Sequence, residues 1–124
     1  PVGALVVLGG KVIGAAGNAS LKNSDPTGHA EILAIKQASS LLGNYRLAGA
    51  SLYVTIEPCT MCLGAMMHAR ISRLVFGALE AKSGAVVSNH VMSIGHFNHA
   101  IEVTSGVRAD ICGSLMSDFF RRRR

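Results

Sequence analysis

Apolar residues dominate Val2 to Leu8 and return from Lys11 to Ala16, with Gly9-Gly10 between them. Two β-rich runs joined by two glycines predict an antiparallel hairpin, since so short a turn needs residues free to adopt positive φ. Gly17 to Pro26 is polar and rich in turn residues and predicts a loop, with Asn18 at its start. The period then becomes helical. Ala30, Leu33, Ala34, Ala38 and Leu41 share one face, Asp25 or Thr27 can cap the start, and Gly43-Asn44 ends the element. Ser51 to Ile56 predicts a third strand, Pro58 to about Ala69 a second helix, and Leu74 to Phe76 a fourth strand. Two successive strand–helix–strand crossovers require strands three and four to run parallel to the strands those crossovers leave. Gly77 to Asn98 has no clear period, and Glu80 to Gly84 reads as an exposed loop. Ile101 to Thr104 predicts a short fifth strand. From about Ala109, the residues Ile111, Leu115, Phe119 and Phe120 form an apolar helical stripe, with Leu115 expected in the core. The class is therefore α/β, a five-stranded mixed sheet with helices, whose ligand site is expected at helix N-termini beyond the strand ends.

Composition narrows this picture. At 124 residues the chain suits one domain. Charged residues are 15% of it, where ~25% is usual, and the apolar surplus predicts a subunit interface or a sheet buried on both faces. No apolar run approaches the ~20 residues of a membrane helix, and no signal-peptide pattern is present. Three cysteines make no disulfide framework and fit a reducing, cytoplasmic setting. The net charge of +5 is local: Arg121, Arg122, Arg123 and Arg124 supply four of it. Such a tail is either a solvated helix end or a contact for a polyanion.

The candidate chemistry lies at His29-Ala30-Glu31 and Pro58-Cys59-Thr60-Met61-Cys62. One imidazole and two thiolates are three good Zn²⁺ ligands, and three protein ligands with an open fourth position mark a catalytic zinc. Cys59 and Cys62 are spaced i, i+3, so a helix starting at Pro58 puts both sulfurs on one face, and its N-terminus favours thiolate. Glu31 is left beside the metal without being needed as a ligand, which makes it the candidate general base. Taken singly these residues have plainer readings: a redox pair, half of a zinc ribbon, a first-turn acid. A ribbon needs a second cysteine pair, and only Cys112 remains. His90, His96 and His99 read as inert loop histidines. His-x-Glu followed by Pro-Cys-x-x-Cys is, as a set, the signature of zinc-dependent nucleobase deaminases.

The chain resembles the bacterial tRNA-specific adenosine deaminases (TadA type) of the cytidine deaminase-like superfamily. Pro1 to Ala4, Asn18, Asp25 to Glu31, Asn44 to Leu47, Leu52 to Thr55, Glu57-Pro58-Cys59 with Met61-Cys62, Val75 to Ala78, Asn98-His99 and Ser117 to Arg121 carry the likeness. The resemblance implies a three-layer α/β/α fold, a homodimer with one zinc per subunit held by His29, Cys59 and Cys62, and a tRNA anticodon stem-loop as partner. It implies conversion of the wobble adenosine to inosine, with zinc-activated hydroxide attacking C6 and Glu31 shuttling protons. Substrate contacts expected are Asn18, Ala30, Pro58, Glu80, Lys82, Phe120 and Arg121, with Phe119 or Phe120 beside the basic end to stack on a base, and Met66 and Met67 are expected at or near the dimer contact. Three departures stand out: the family's first helix is absent from this sequence, Gly28 replaces the usual Ala, and Glu80 the common Asp. The longer acid is expected to affect preference among tRNA, other RNA and DNA. The competing readings are an engineered or divergent deaminase acting on single-stranded DNA or on a free nucleobase or nucleoside, and a non-catalytic zinc-stabilised RNA-binding subunit.

Overall fold

The computed structural model describes residues 1–122, with Phe120 described by its backbone only. The elements are β1 (Gly3–Leu8), β2 (Lys11–Gly17), α1 (Ala30–Leu42), β3 (Ser51–Ile56), α2 (Thr60–His68), β4 (Arg73–Ala78), α3 (Val91–Ile94), β5 (Glu102–Thr104) and α4 (Ala109–Arg122). One five-stranded sheet has the order β2-β1-β3-β4-β5. Gly9 and Gly10 both adopt positive φ, 58° and 76°, which lets two residues turn β1 into β2. β1 pairs antiparallel with both β2 and β3, while β3, β4 and β5 are parallel. β3 thus runs parallel to β2 across the intervening β1, the direction the first crossover requires.

Alternation along the strands builds three layers. Ala4, Val6, Leu52, Val54, Leu74 and Phe76 are buried in one core cluster with α1 and α2 residues such as Ala34, Leu63 and Met66. Leu5, Tyr53 and Val75 point to the other face, which they share with Cys112 of α4. Because α4 packs on β4 and β3, the β1–β2 end of that face keeps an apolar groove of about 480 Å³. Leu5 at 40% and Tyr53 at 37% exposure line it, which accounts for part of the apolar surplus.

Several expectations change on contact with the fold. The residue capping α1 is His29, while Asp25 closes its own turn by accepting the Thr27 N–H at 2.9 Å and the Thr27 hydroxyl at 2.7 Å. Ile35 is buried in α1, whereas Leu41 is 68% exposed. Small residues carry this contact because α1 lies so close to β2 that a Cβ at Gly14 would sit 2.2 Å from the Ala34 carbonyl oxygen. Leu115 is not a core residue. It and Ile111 are about half exposed, and α4 instead turns Cys112 and Gly113 to the sheet, where Gly77 leaves room for the Cys112 sulfur. Met66 and Met67 are buried within the subunit, at 0% and 6% exposure, so they offer little surface to a dimer contact expected at or near them. Of the loop expected to be exposed, Ala81, Lys82 and Ser83 are exposed but Gly84 is buried, as are Ala85 and Val86 after it, and the stretch without a clear period contains α3.

Candidate metal and substrate site

Two helix starts meet at the site. His29 and Cys59 are the N-cap residues of α1 and α2, both with extended backbone, and neither spends its side chain on a cap bond. Pro58 therefore precedes α2 by one cap position instead of opening it, and Cys62 stands in the first turn; the i, i+3 relation of the two cysteines is unaffected. The His29 Nδ1 lies 3.6 Å from the Cys59 Sγ and 3.5 Å from the Cys62 Sγ. With Zn–S of about 2.3 Å and Zn–N of about 2.0–2.1 Å, the N···S edge of a tetrahedral zinc site is about 3.5–3.6 Å. All three donor atoms fall within 4.8 Å of one another, and they form the one group of this kind among the described residues. The donors therefore fit zinc.

Their protonation suits a cation as well. Hydrogen bonding with Cys62, aided by the N–H groups of Cys62 and Met61 and by His29, lowers the Cys59 pKa to about 5 against the cost of burial. Hydrogen bonding to Cys59 and burial push Cys62 the other way, so the pair shares one proton that a divalent ion would displace. Glu31 is 4% exposed and close enough to Cys62 to hydrogen-bond with it, yet lies outside the three-donor group. Burial raises its pKa above the ordinary carboxylate value.

A pocket of about 200 Å³ opens beside these groups, lined by Asn18, His29, Ala30, Glu31, Cys59 and Glu80 among others. This is below the ~300–1,000 Å³ of drug-sized sites and suits one flat ring system. Asn18 sits at its rim, where its Oδ1 accepts the Val2 N–H at 3.1 Å. Of the other residues singled out for substrate, Pro58 is wholly buried and offers its carbonyl to the Ala85 N–H. Lys82 lies on the exposed loop beside the neighbouring groove formed with Met61 and Ser83. Arg121 lines a further groove of about 510 Å³ that shares Ile56, Glu80 and Met116 with the pocket, and it is ion-paired with Asp118. The Phe120 side chain, Arg123 and Arg124 lie outside the described residues. At Gly28 an added Cβ would sit 3.1–3.2 Å from the 19–20 backbone and the Asp25 carbonyl, so this turn is tightly packed.

Sequence reasoning missed Glu57 and the pocket residues Ser20, Ser83 and Met116. Glu57 is 2% exposed and accepts the N–H groups of Glu80, Val86, Val87 and Ser88 and the Ser88 hydroxyl. Burial opposes its charge, but these bonds outweigh it and hold the carboxyl below its ordinary pKa. A charged residue closing an apolar strand was the available signal.

The MafB19-like deaminase family model matches residues 1–124. A tRNA-specific adenosine deaminase of Haemophilus influenzae is 50% identical over the whole chain, which spans 73% of that protein. A solved structure from a study of A-to-I editing by tRNA:A34 deaminases at the wobble position superposes with a TM-score of 0.90. Its identity is 46%, over 93% of this chain and 84% of that one. A guanine deaminase from Nitrosomonas europaea is more distant, with a TM-score of 0.74 and 26% identity over 96% of this chain and 72% of that one. The chain thus belongs to the tRNA-specific adenosine deaminases, within the MafB19-like deaminase family.

Proposed function

We propose that this protein hydrolyses the wobble adenosine of a tRNA anticodon loop to inosine, releasing ammonia, with one zinc per subunit. The observation that carries the reading is the His29–Cys59–Cys62 triangle, whose N···S edges match a zinc tetrahedron, with the non-ligand carboxylate of Glu31 beside it.

His29, Cys59 and Cys62 would hold the ion, which when bound lowers the pKa of water from about 15.7 towards ~7 and so supplies hydroxide at neutral pH. Glu31 takes the proton that water gives up and passes it to N1 of the adenine as oxygen bonds to C6. C6 then carries both a hydroxyl and the amino group. Glu31 moves the hydroxyl proton to that amine, the C–N bond breaks, ammonia leaves, and the C6 carbonyl of inosine remains. Asn18, its Oδ1 held by Val2, presents its amide N–H₂ to a base acceptor. The backbone beside Ala30 and Cys59 forms the pocket wall. An unpaired anticodon loop offers the base without the few kcal/mol needed to extract one from a duplex.

The arginines are assigned to the phosphate backbone, and Arg121 lines the groove that adjoins the pocket. Each arginine that neutralises a phosphate of single-stranded RNA adds ~0.7 to the slope of log affinity against log salt. Replacing Arg121 to Arg124 with Ala is expected to flatten the slope by up to ~3, with Arg121 giving least because Asp118 already pairs with it. Turnover at saturating RNA should change much less. An unchanged slope would make the tail a solvated helix end.

The protein is also proposed to act as a cytoplasmic homodimer. Met66 and Met67 being internal, the outward side of α2, with Met61 and His68 exposed, is the remaining candidate on that helix. Light scattering at micromolar concentration should report twice the chain mass; a monomer would contradict it. No helix among the described residues is long and apolar enough to cross a membrane. Substrate class is tested by ammonia release from an anticodon stem-loop, single-stranded DNA, and free adenosine, cytosine and guanine. The RNA should be preferred, and turnover of a free base or nucleoside alone would overturn the reading.

A further inference from the structure

We infer that Glu57 is a positioning residue that holds the 80–88 loop in place as the outer wall of the substrate pocket. The inference deepens the deaminase reading and rests on it. Glu57 follows the end of β3, lines the pocket beside Glu31 and Cys59, and spends its carboxylate on the loop. Its Oε2 accepts three successive backbone N–H groups, from Val86 at 3.1 Å, Val87 at 2.7 Å and Ser88 at 2.9 Å. Its Oε1 accepts the Glu80 N–H at 3.0 Å and the Ser88 hydroxyl. Every partner is a donor, so an acceptor-only group fits and an amide does not. These are bonds to an ionised acceptor in a buried place, the strong kind.

Loop and carboxylate are also shaped to each other. A Cβ at Gly84 would lie 2.3 Å from the Glu57 carboxyl carbon, so only glycine lets the backbone close over it. Gly84 makes an isolated antiparallel bridge with Cys59, and the Ala85 N–H bonds to the Pro58 carbonyl at 2.9 Å. Asn89 staples the loop internally by donating to the carbonyls of Gly84 at 2.8 Å and Ala81 at 3.2 Å. The loop is thus a preformed unit, fastened at Glu57, and the residues it delivers to the pocket are Glu80 and Ser83. Neither belongs to the three-donor group, so the anchor should act on how substrate is held.

Glu57→Gln keeps the volume but points an amide N–H₂ at donors, which leaves buried groups unpaired. At ~1–3 kcal/mol this is about a 5- to 150-fold rise in KM for the stem-loop. kcat should move far less and zinc content should remain one per chain, the pattern of lost substrate binding. Ser88→Ala, which removes one donor at a partly exposed position, should raise KM in the same direction by a smaller factor, and it guards against misfolding of the first variant. Amide hydrogen exchange should accelerate at Glu80, Val86, Val87 and Ser88 in Glu57→Gln, while the α1 amides stay protected. This readout needs no substrate, so an inactive wild type would count against the deaminase reading and leave the anchor tested. Unchanged exchange in the loop, unchanged KM in both variants, or zinc lost from Glu57→Gln would overturn the inference.

Discussion

Glu31→Ala is expected to keep its zinc and its fold and to lose turnover by at least the ~10²–10⁴-fold that general acid–base catalysis contributes. Three observations set this direction. Glu31 lies in the first turn of α1, two residues after His29, so it borders the donor triangle without belonging to it. It is buried at the pocket wall, where a proton it carries is shielded from bulk water. The donor set already has two thiols and an imidazole, so a fourth protein ligand would close the position that catalysis needs open. Glu31→Gln removes the proton-accepting oxygen at constant volume and should behave alike, which separates loss of chemistry from a packing defect. Binding of the anticodon stem-loop should survive in both. Zinc loss would make Glu31 a ligand, and retained turnover would make it an ordinary first-turn acid favoured by the helix dipole.

Cys59→Ala is expected to abolish both zinc and activity, where Cys112→Ala abolishes neither. Removing one thiolate leaves an imidazole and a single sulfur, too few for a tight site. A ligand that binds only the folded state at about 1,000 times its Kd stabilises it by about 4 kcal/mol. Zinc should therefore raise the melting temperature of the wild type and of Cys112→Ala, and leave Cys59→Ala unmoved. Cys112 lies across the sheet, packed against Gly77, so its loss should cost some packing and no metal. A chelator applied to the wild type should reproduce the Cys59→Ala melting point. Equal zinc loss from both variants would mean the ligand assignment is wrong.

The strands and the donor set were legible because they rest on short-range rules. β3 has the predicted bounds, the two-glycine turn closes as expected, and His29, Cys59 and Cys62 converge. What the pattern missed depends on close approach between elements. Leu41 and Leu115 fit helical stripes, yet glycines at 14 and 77 bring α1 and α4 so near the sheet that Ala34 and Cys112 make the contacts instead. Periodicity assigns apolar positions to a face but does not measure how much room that face has. The 80–88 loop was illegible for another reason: five of its bonds go to a single carboxylate 23 to 31 residues away, and no local signal announces them.

The claim that zinc, Glu31 and the tail groove make one adenosine-deaminating site is tested most directly by mapping inosine in an anticodon stem-loop. The zinc-loaded wild type should convert adenosine at the first anticodon position and leave an adenosine moved elsewhere in the same loop largely intact, and Glu31→Gln should convert neither. Inosine formed equally at both positions would contradict the wobble assignment, and inosine formed by Glu31→Gln at the wild-type rate would contradict the mechanism.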